Sequence, residues 1–283
     1  MTEFEEARNA FHSALKADVY KLLPDGKPTN ADKDSQTSVR IGAKLAEALA
    51  VMPGPRLSPQ TLGAKFEQHT KFFLDMTYPK LQHLRPGRWD IRCITNRTGL
   101  DIGDYEQYAH LREIERAAKQ EPALRVLLGS DYNIASDVVI TRFPISDETI
   151  NEYEVLVDEN VAQRTSIRER NGSRPSLHAC VSCKWTMRSD RSQNSRSEAL
   201  RLIRSRKGRS PHIAVVTAES LPSRLASIAL GTGDIDCVYH IALPELQSAV
   251  RTINESEAEA LLALMVDGRR LKDISDLPLD LAI

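Results

Sequence analysis

The chain has 283 residues, 41% hydrophobic and 27% charged, enough for one large α/β domain or two small ones and ordinary for a globular protein. Aromatics at 5% argue against a surface built mainly on base stacking, and four cysteines against a disulfide scaffold. Neither the first twenty residues nor any later run is apolar enough for a signal peptide or a bilayer span, so the expected location is the cytoplasm.

Net charge is −1, but it is unevenly spread. From Lys184 to Arg209, nine Lys/Arg face two acids, a net +7, while from Glu255 onward seven acids face three bases, a net −4. A basic block in a neutral protein suits a polyanion site; a solvated helix face is the competing reading.

In chain order, Glu3–Leu23 and Val39–Met52 carry apolar residues at helical spacing. Ser58 is a candidate N-cap with Pro59 at the first helical position, and Leu62, Phe66 and Phe73 follow on one face. Asp104–Leu128 reads as a further helix ended by Gly129. The period then changes. Asp137–Thr141, Glu154–Val157, Leu177–Trp185, His212–Thr217 and Cys237–Leu243 read as short β-branched strands. The unbroken apolar run HIAVVT marks a strand buried on both faces. Helices return at Ser195–Lys207, Leu243–Ile253 and Ser256–Val266; the GTGD turn and the Pro-Gly pairs at 53–54 and 86–87 are loops. The expected fold is a mixed central sheet flanked by helices. It forms one domain, 1–283, whose first part (1–130) is mainly helical and whose second part (131–283) holds the core sheet.

The chemistry centres on LHACVSCKW, 177–185. Alternation puts Lys184, Ser182, Cys180 and His178 on one face and the small apolar Cys183, Val181, Ala179 and Leu177 on the other. Lys184 thus ends its strand facing solvent or a cleft, and Asp137 opens another strand. A carboxylate and a lysine on neighbouring strand ends suit metal-assisted phosphodiester hydrolysis. The acid holds a hard cation such as Mg²⁺, and the lysine orients the attacking water and screens charge. Glu198 has two readings: a capping box with Ser195, or a carboxylate facing that cleft. Glu67, beside Phe66, is either a surface acid or another cleft carboxylate. Between Trp185 and the next helix, Arg188, Asp190 and Arg191 form an Arg-x-Asp-Arg set. Arginine pairs with guanine O6 and N7, and aspartate accepts from cytosine N4; an exposed salt-bridged turn is the alternative. Cys180 and Cys183 do not make a zinc site, because strand alternation puts them on opposite faces.

This order — Asp on one strand, Ser-x-Lys on the next, Glu on the following helix — resembles the PD-(D/E)xK nuclease fold, in the NgoMIV-like group of CCGG-cutting type II restriction enzymes. The resemblance spans nearly the whole chain, through KLQHLRPGRWD (80–90), LGSDY (128–132), SCKWTMRSDR (182–191), RKGRSPHIAVVTAE (206–219), SIALGTGDIDCVYH (227–240) and KDISDLPLDLA (272–282); the first 30 or so residues match poorly. It implies Asp137 as central metal ligand, Lys184 as catalytic lysine, and Glu198 and Glu67 as further carboxylates at Mg²⁺. The main-chain carbonyl of Cys183 is a further implied ligand. Arg188, Asp190 and Arg191 would read the inner CCGG, Arg224 and Asp32 the outer G·C pairs, and Gln60 the minor groove. The implied target is GCCGGC in double-stranded DNA, cut after the first G to leave four-base 5′ overhangs. The implied assembly is a homodimer per site within a homotetramer binding two duplexes, and the implied companion is a cytosine methyltransferase. Ser136 stands where the family motif usually has proline. Two other classes remain open from the residues themselves. A repair or junction-resolving nuclease would lack a base-reading loop, and a non-catalytic DNA-binding protein would not need the lysine–carboxylate set.

Overall fold

A computed structural model describes residues 1–94, 102–120, 137–172 and 174–283; within its helices, the side chains of 115, 118, 119 and 189–191 lie outside the description. Three helices lead: α1 (Glu3–Asp18), α2 (Gln36–Ala48) and α3 (Pro59–Thr77). Side-chain oxygens of Thr2, Ser35 and Ser58 cap them by accepting from backbone N–H groups in the first turn. Then follow β1 (Trp89–Cys93), α4 (Ala109–Gln120), β2 (Val138–Arg142), β3 (Ser176–Lys184), α5 (Ser189–Ser205), β4 (His212–Thr217), α6 (Pro222–Ala229), β5 (Cys237–His240), α7 (Leu243–Ile253), α8 (Ser256–Asp267) and β6 (Leu271–Asp273).

The six strands form one mixed sheet in chain order. β1, β2 and β3 pair antiparallel, and β3 to β6 run parallel with helices crossing between them. Parallel strands need crossover connections and are covered on both faces. Accordingly the His212–Thr217 strand is buried at every position but its first. One core packs α3 against the sheet face that carries Ala179, Val181 and Cys183 and continues through α1, α2, α6, α7 and α8. A second core, on the other face, joins Tyr105, Tyr108 and Leu111 to Ala199 and Leu202 of α5.

The structure corrects the expected alternation along β3. Ile140 pairs with Ala179 but Thr141 pairs with Leu177, so a bulge leaves His178 unopposed. The bulge swaps faces below it. Leu177 joins Cys180 in the second core, while His178 turns the other way and packs on Tyr78 and Trp89. Above the bulge alternation holds: Ala179, Val181 and Cys183 enter the first core and Cys180 the second. Cys180 and Cys183 therefore lie on opposite faces.

Other expectations shift. Residues 154–157 are not a strand; their Asn151 side chain accepts from the Leu156 and Val157 N–H groups and donates to the Val157 carbonyl, which closes a turn. Strands β1 and β6 and helix α6 were not expected, and β1 extends the sheet into the part read as helical. The helix read over 104–128 is a pair of 3₁₀ turns followed by α4; its expected end at 121–129 lies outside the described residues. Among the described residues no helix is long and apolar enough to cross a membrane.

Candidate active site

Antiparallel pairing brings the start of β2 to the end of β3, which is how residues 47 apart in sequence meet. The Asp137 carboxylate, one residue before β2, accepts from Lys184 Nζ at 2.8 Å and from the Cys183 N–H at 2.6 Å. The side chains keep only 15% and 18% exposure, so the pair is desolvated yet open on one side. Burial works to lower the Lys184 pKa, but the charge and hydrogen bond of Asp137 outweigh it and the net shift is upward.

α3 closes the cleft from one side. Trp185, just past β3, packs edge-on against Tyr20 at 5.4 Å and Phe66 at 5.2 Å. Docking Phe66 there presents its neighbour Glu67 to Lys184 and Asp137. Burial, with the nearby Asp137 charge, pushes the Glu67 carboxyl up to about 7 against the pull of Lys184. α5 closes the other side. Its Ser195 Oγ lies 3.3 Å from Ser182 Oγ of β3, which sets Glu198, one turn on, over the same cleft. Burial again raises this carboxyl to about 7; Lys184 opposes the shift and Asp137 adds to it.

The capping-box reading of Glu198 is thus corrected. α5 begins at Ser189, with Arg188 as its N-cap residue, so Ser195 and Glu198 lie inside the helix and Ser195 bonds across to β3. The segment expected as a loop between Trp185 and Asn194 is helical from Ser189, because it continues an amphipathic pattern backward from Leu202 through Ala199, Ser195 and Ser192, all buried.

The result is a cleft of about 340 Å³ whose lining includes Glu67, Cys183, Lys184, Glu198, Arg188 and Asn194. Arg56 and Thr29 also line it. Neither was expected, and Arg56 between two short loop residues carries no periodic signal. Pro59 lines the cleft too, placing the exposed Gln60 at its mouth. Asp190 and Arg191 sit in the first turn of α5, but their side chains lie outside the described residues.

Arg224 and Asp32, 192 residues apart, form an ion pair beside this cleft. The Asp34 N–H, then the charges of Arg224 and Arg188, hold the Asp32 carboxyl below its usual range. Arg188, Asp32 and Arg224 therefore share one electrostatic neighbourhood at the C-terminal ends of β3 and β4.

Comparison with known proteins identifies the family. The family model described as NgoMIV restriction enzyme matches residues 11–283. The chain is 49% identical, over 99% of its own length and 99% of the other's, to the type II restriction enzyme NgoMIV of Neisseria gonorrhoeae. A mixed sheet with an acid–lysine pair at its centre and a match along almost the full chain place this protein in the NgoMIV restriction enzyme family.

Proposed function

We propose that this chain is a type II restriction enzyme that hydrolyses both strands of duplex DNA, with Mg²⁺, at GCCGGC, cutting after the first G to leave four-base 5′ overhangs. The observation that carries the catalytic part is the desolvated Asp137–Lys184 pair, flanked by Glu67 and Glu198 from opposite helices.

The residues present fit a divalent cation. Glu67 and Glu198 line the cleft with Lys184, whose partner Asp137 stands beside it, and burial first, then the Asp137 charge, pushes the two glutamates up to about 7. Among the described residues no three His, Cys, Asp or Glu side chains converge closely enough to hold an ion by themselves; Mg²⁺ commonly completes its shell with water and phosphate oxygens. Asp137, Glu67, Glu198 and the Cys183 carbonyl would hold it. When bound, the ion supplies charge stabilisation at phosphorus and a more acidic water. Lys184, kept protonated by Asp137, holds positive charge at the attacked phosphate and orients the water by hydrogen bonding. The Cys183 N–H fixes the Asp137 carboxylate so that its orientation does not depend on the ion.

For readout, Arg188, Asp190 and Arg191 at the start of α5 address the inner CCGG through the major groove. Arg224 and Asp32 address the outer pair, and Gln60 reaches the minor groove. A homodimer meets the palindrome, and two dimers form a homotetramer holding two duplexes. The exposed Tyr153 (90%), Val155 (85%) and Leu156 (63%) support a further protein interface. A companion cytosine methyltransferase would protect the host's own sites in the cytoplasm.

The test is digestion of a plasmid of known sequence with purified protein and Mg²⁺, mapping the ends by sequencing. Discrete cuts at GCCGGC with four-base 5′ overhangs are expected. Cuts confined to another CCGG-containing site would revise the outer readers, and tight binding without cleavage would overturn the catalytic reading.

A further inference from the structure

We propose that Glu219 is a positioning residue that locks the inner and outer base-reading groups into one register, a role that rests on the readout assigned above. Glu219 lies two residues beyond β4 and its side chain is fully buried. One carboxylate oxygen accepts from the Met187 N–H at 2.8 Å, immediately before Arg188. The other accepts from the Leu221 N–H at 2.9 Å. The first oxygen also stands 3.7 Å from Arg224 Nη1, and the other arm of that guanidinium pairs with Asp32.

A fully buried carboxylate is costly, and ordinary packing at this position would be served by an apolar side chain. What Glu219 adds is a joint between three chain segments. The same short stretch also docks the turn that carries Asp32. Ala218 accepts from Asn30 Nδ2 at 3.0 Å, and Ser220 Oγ lies 3.0 Å from Ser38 Oγ, which accepts from the Asp32 N–H at 2.9 Å. Asp32 and Arg224 neutralise each other in the free protein. Once both turn to bases that pairing loosens, and Glu219 is the carboxylate left to hold Arg224. Burial pushes the Glu219 carboxyl up, while the Leu221 and Met187 N–H groups and Arg224 oppose it.

The experiment compares kcat/KM on duplexes carrying GCCGGC with duplexes in which only the outer pair is changed, for wild type, Glu219→Gln, Arg224→Ala and the double variant. Glutamine keeps the size but sets an NH₂ against a backbone N–H donor, so one of the two main-chain bonds fails. The ratio between substrates does not depend on the fraction of enzyme folded, and Glu219→Asp, which keeps both oxygens but draws them back, serves if the glutamine variant is insoluble. Discrimination is expected to fall roughly tenfold or more in the single variants, the scale of a lost bidentate base contact. It is expected to fall no further when Glu219→Gln is added to Arg224→Ala. A wild-type ratio in Glu219→Gln, or an equal further loss in the Arg224→Ala background, overturns the proposal. A wild type that cleaves at CCGG without regard to the outer pair overturns the Arg224 assignment itself, and the proposal with it.

Discussion

Replacing Asp137 by asparagine removes one charge 2.8 Å from Lys184 Nζ while keeping the side chain's size. Stripping one partner from a buried ion pair costs roughly 3–5 kcal/mol when the other charge is left alone. Lys184 is not left alone here: Glu67 and Glu198 line the same cleft, and burial together with the Asp137 charge is what pushes them up. The substitution therefore loses one attraction and relieves two repulsions. The expected net change in stability is about 1 kcal/mol, or roughly 2–4 °C in Tm for a chain of this size. Catalysis should respond on another scale. Losing an ion that contributes several kcal/mol of charge stabilisation lowers single-turnover cleavage by roughly 10³-fold or more, at about 1.4 kcal/mol per tenfold. Melting curves, gel shifts on a GCCGGC duplex and quenched-flow cleavage separate the three effects. Cleavage within tenfold of wild type would refute the metal role. A fall of more than about 10 °C accompanied by lost binding would show Asp137 to be a structural strut, since it exceeds the 2–4 °C expected per kcal/mol.

Three other outcomes are expected. A Cβ at Gly42 would stand 2.9 Å from Pro28 Cγ and 3.1 Å from Ala31 Cβ, neither a flexible tip; Gly42→Ala should cost roughly 1–3 kcal/mol by denaturant titration and disturb the turn bearing Asp32. Burial lowers the pKa of His12, His178 and His240, the last two to about 3 and about 4. Because the unfolded chain takes up these protons first, near pH 6.5, the stability is present above that pH and drains as pH falls, for His178 and His240 by about 1.4 kcal/mol each per pH unit toward 4, while Glu67 and Glu198, raised to about 7, gain stability over the same range. A pH 7 to 5 change in denaturant midpoint that is the same in wild type and in His178→Asn would contradict this. Replacing Tyr153, Val155 and Leu156 by serine should lower the mass measured by light scattering from a tetramer's to a dimer's; an unchanged mass would locate the interface elsewhere.

Much of the site was legible because its signals are local. Asp137 and Lys184 sit at strand ends that β-branched runs delimit, and Ser58 with Pro59 marks the helix that delivers Glu67. Geometry set by contacts between segments was not legible. The bulge at His178 depends on pairing with β2, and alternation alone therefore assigned Leu177 and His178 to the wrong faces. The start of α5 was misplaced because Ser195 resembles an N-cap, and only its contact with Ser182 shows it to be interior. β6 is three residues long and exists only by pairing with β5. Glu219 carried one signal, an acid directly after a strand buried on both faces, but its partners at Met187, Leu221 and Arg224 come together only in the fold.

Where the metal binds decides the catalytic reading most directly. Crystals of the protein with a GCCGGC duplex, soaked in Mn²⁺ and measured at the manganese absorption edge, would locate the ion by its anomalous signal. A peak is expected within coordination distance of the Asp137 carboxylate and a scissile phosphate oxygen, in the cleft between α3 and α5. A peak away from Asp137, in crystals where that phosphate is in place, would contradict it.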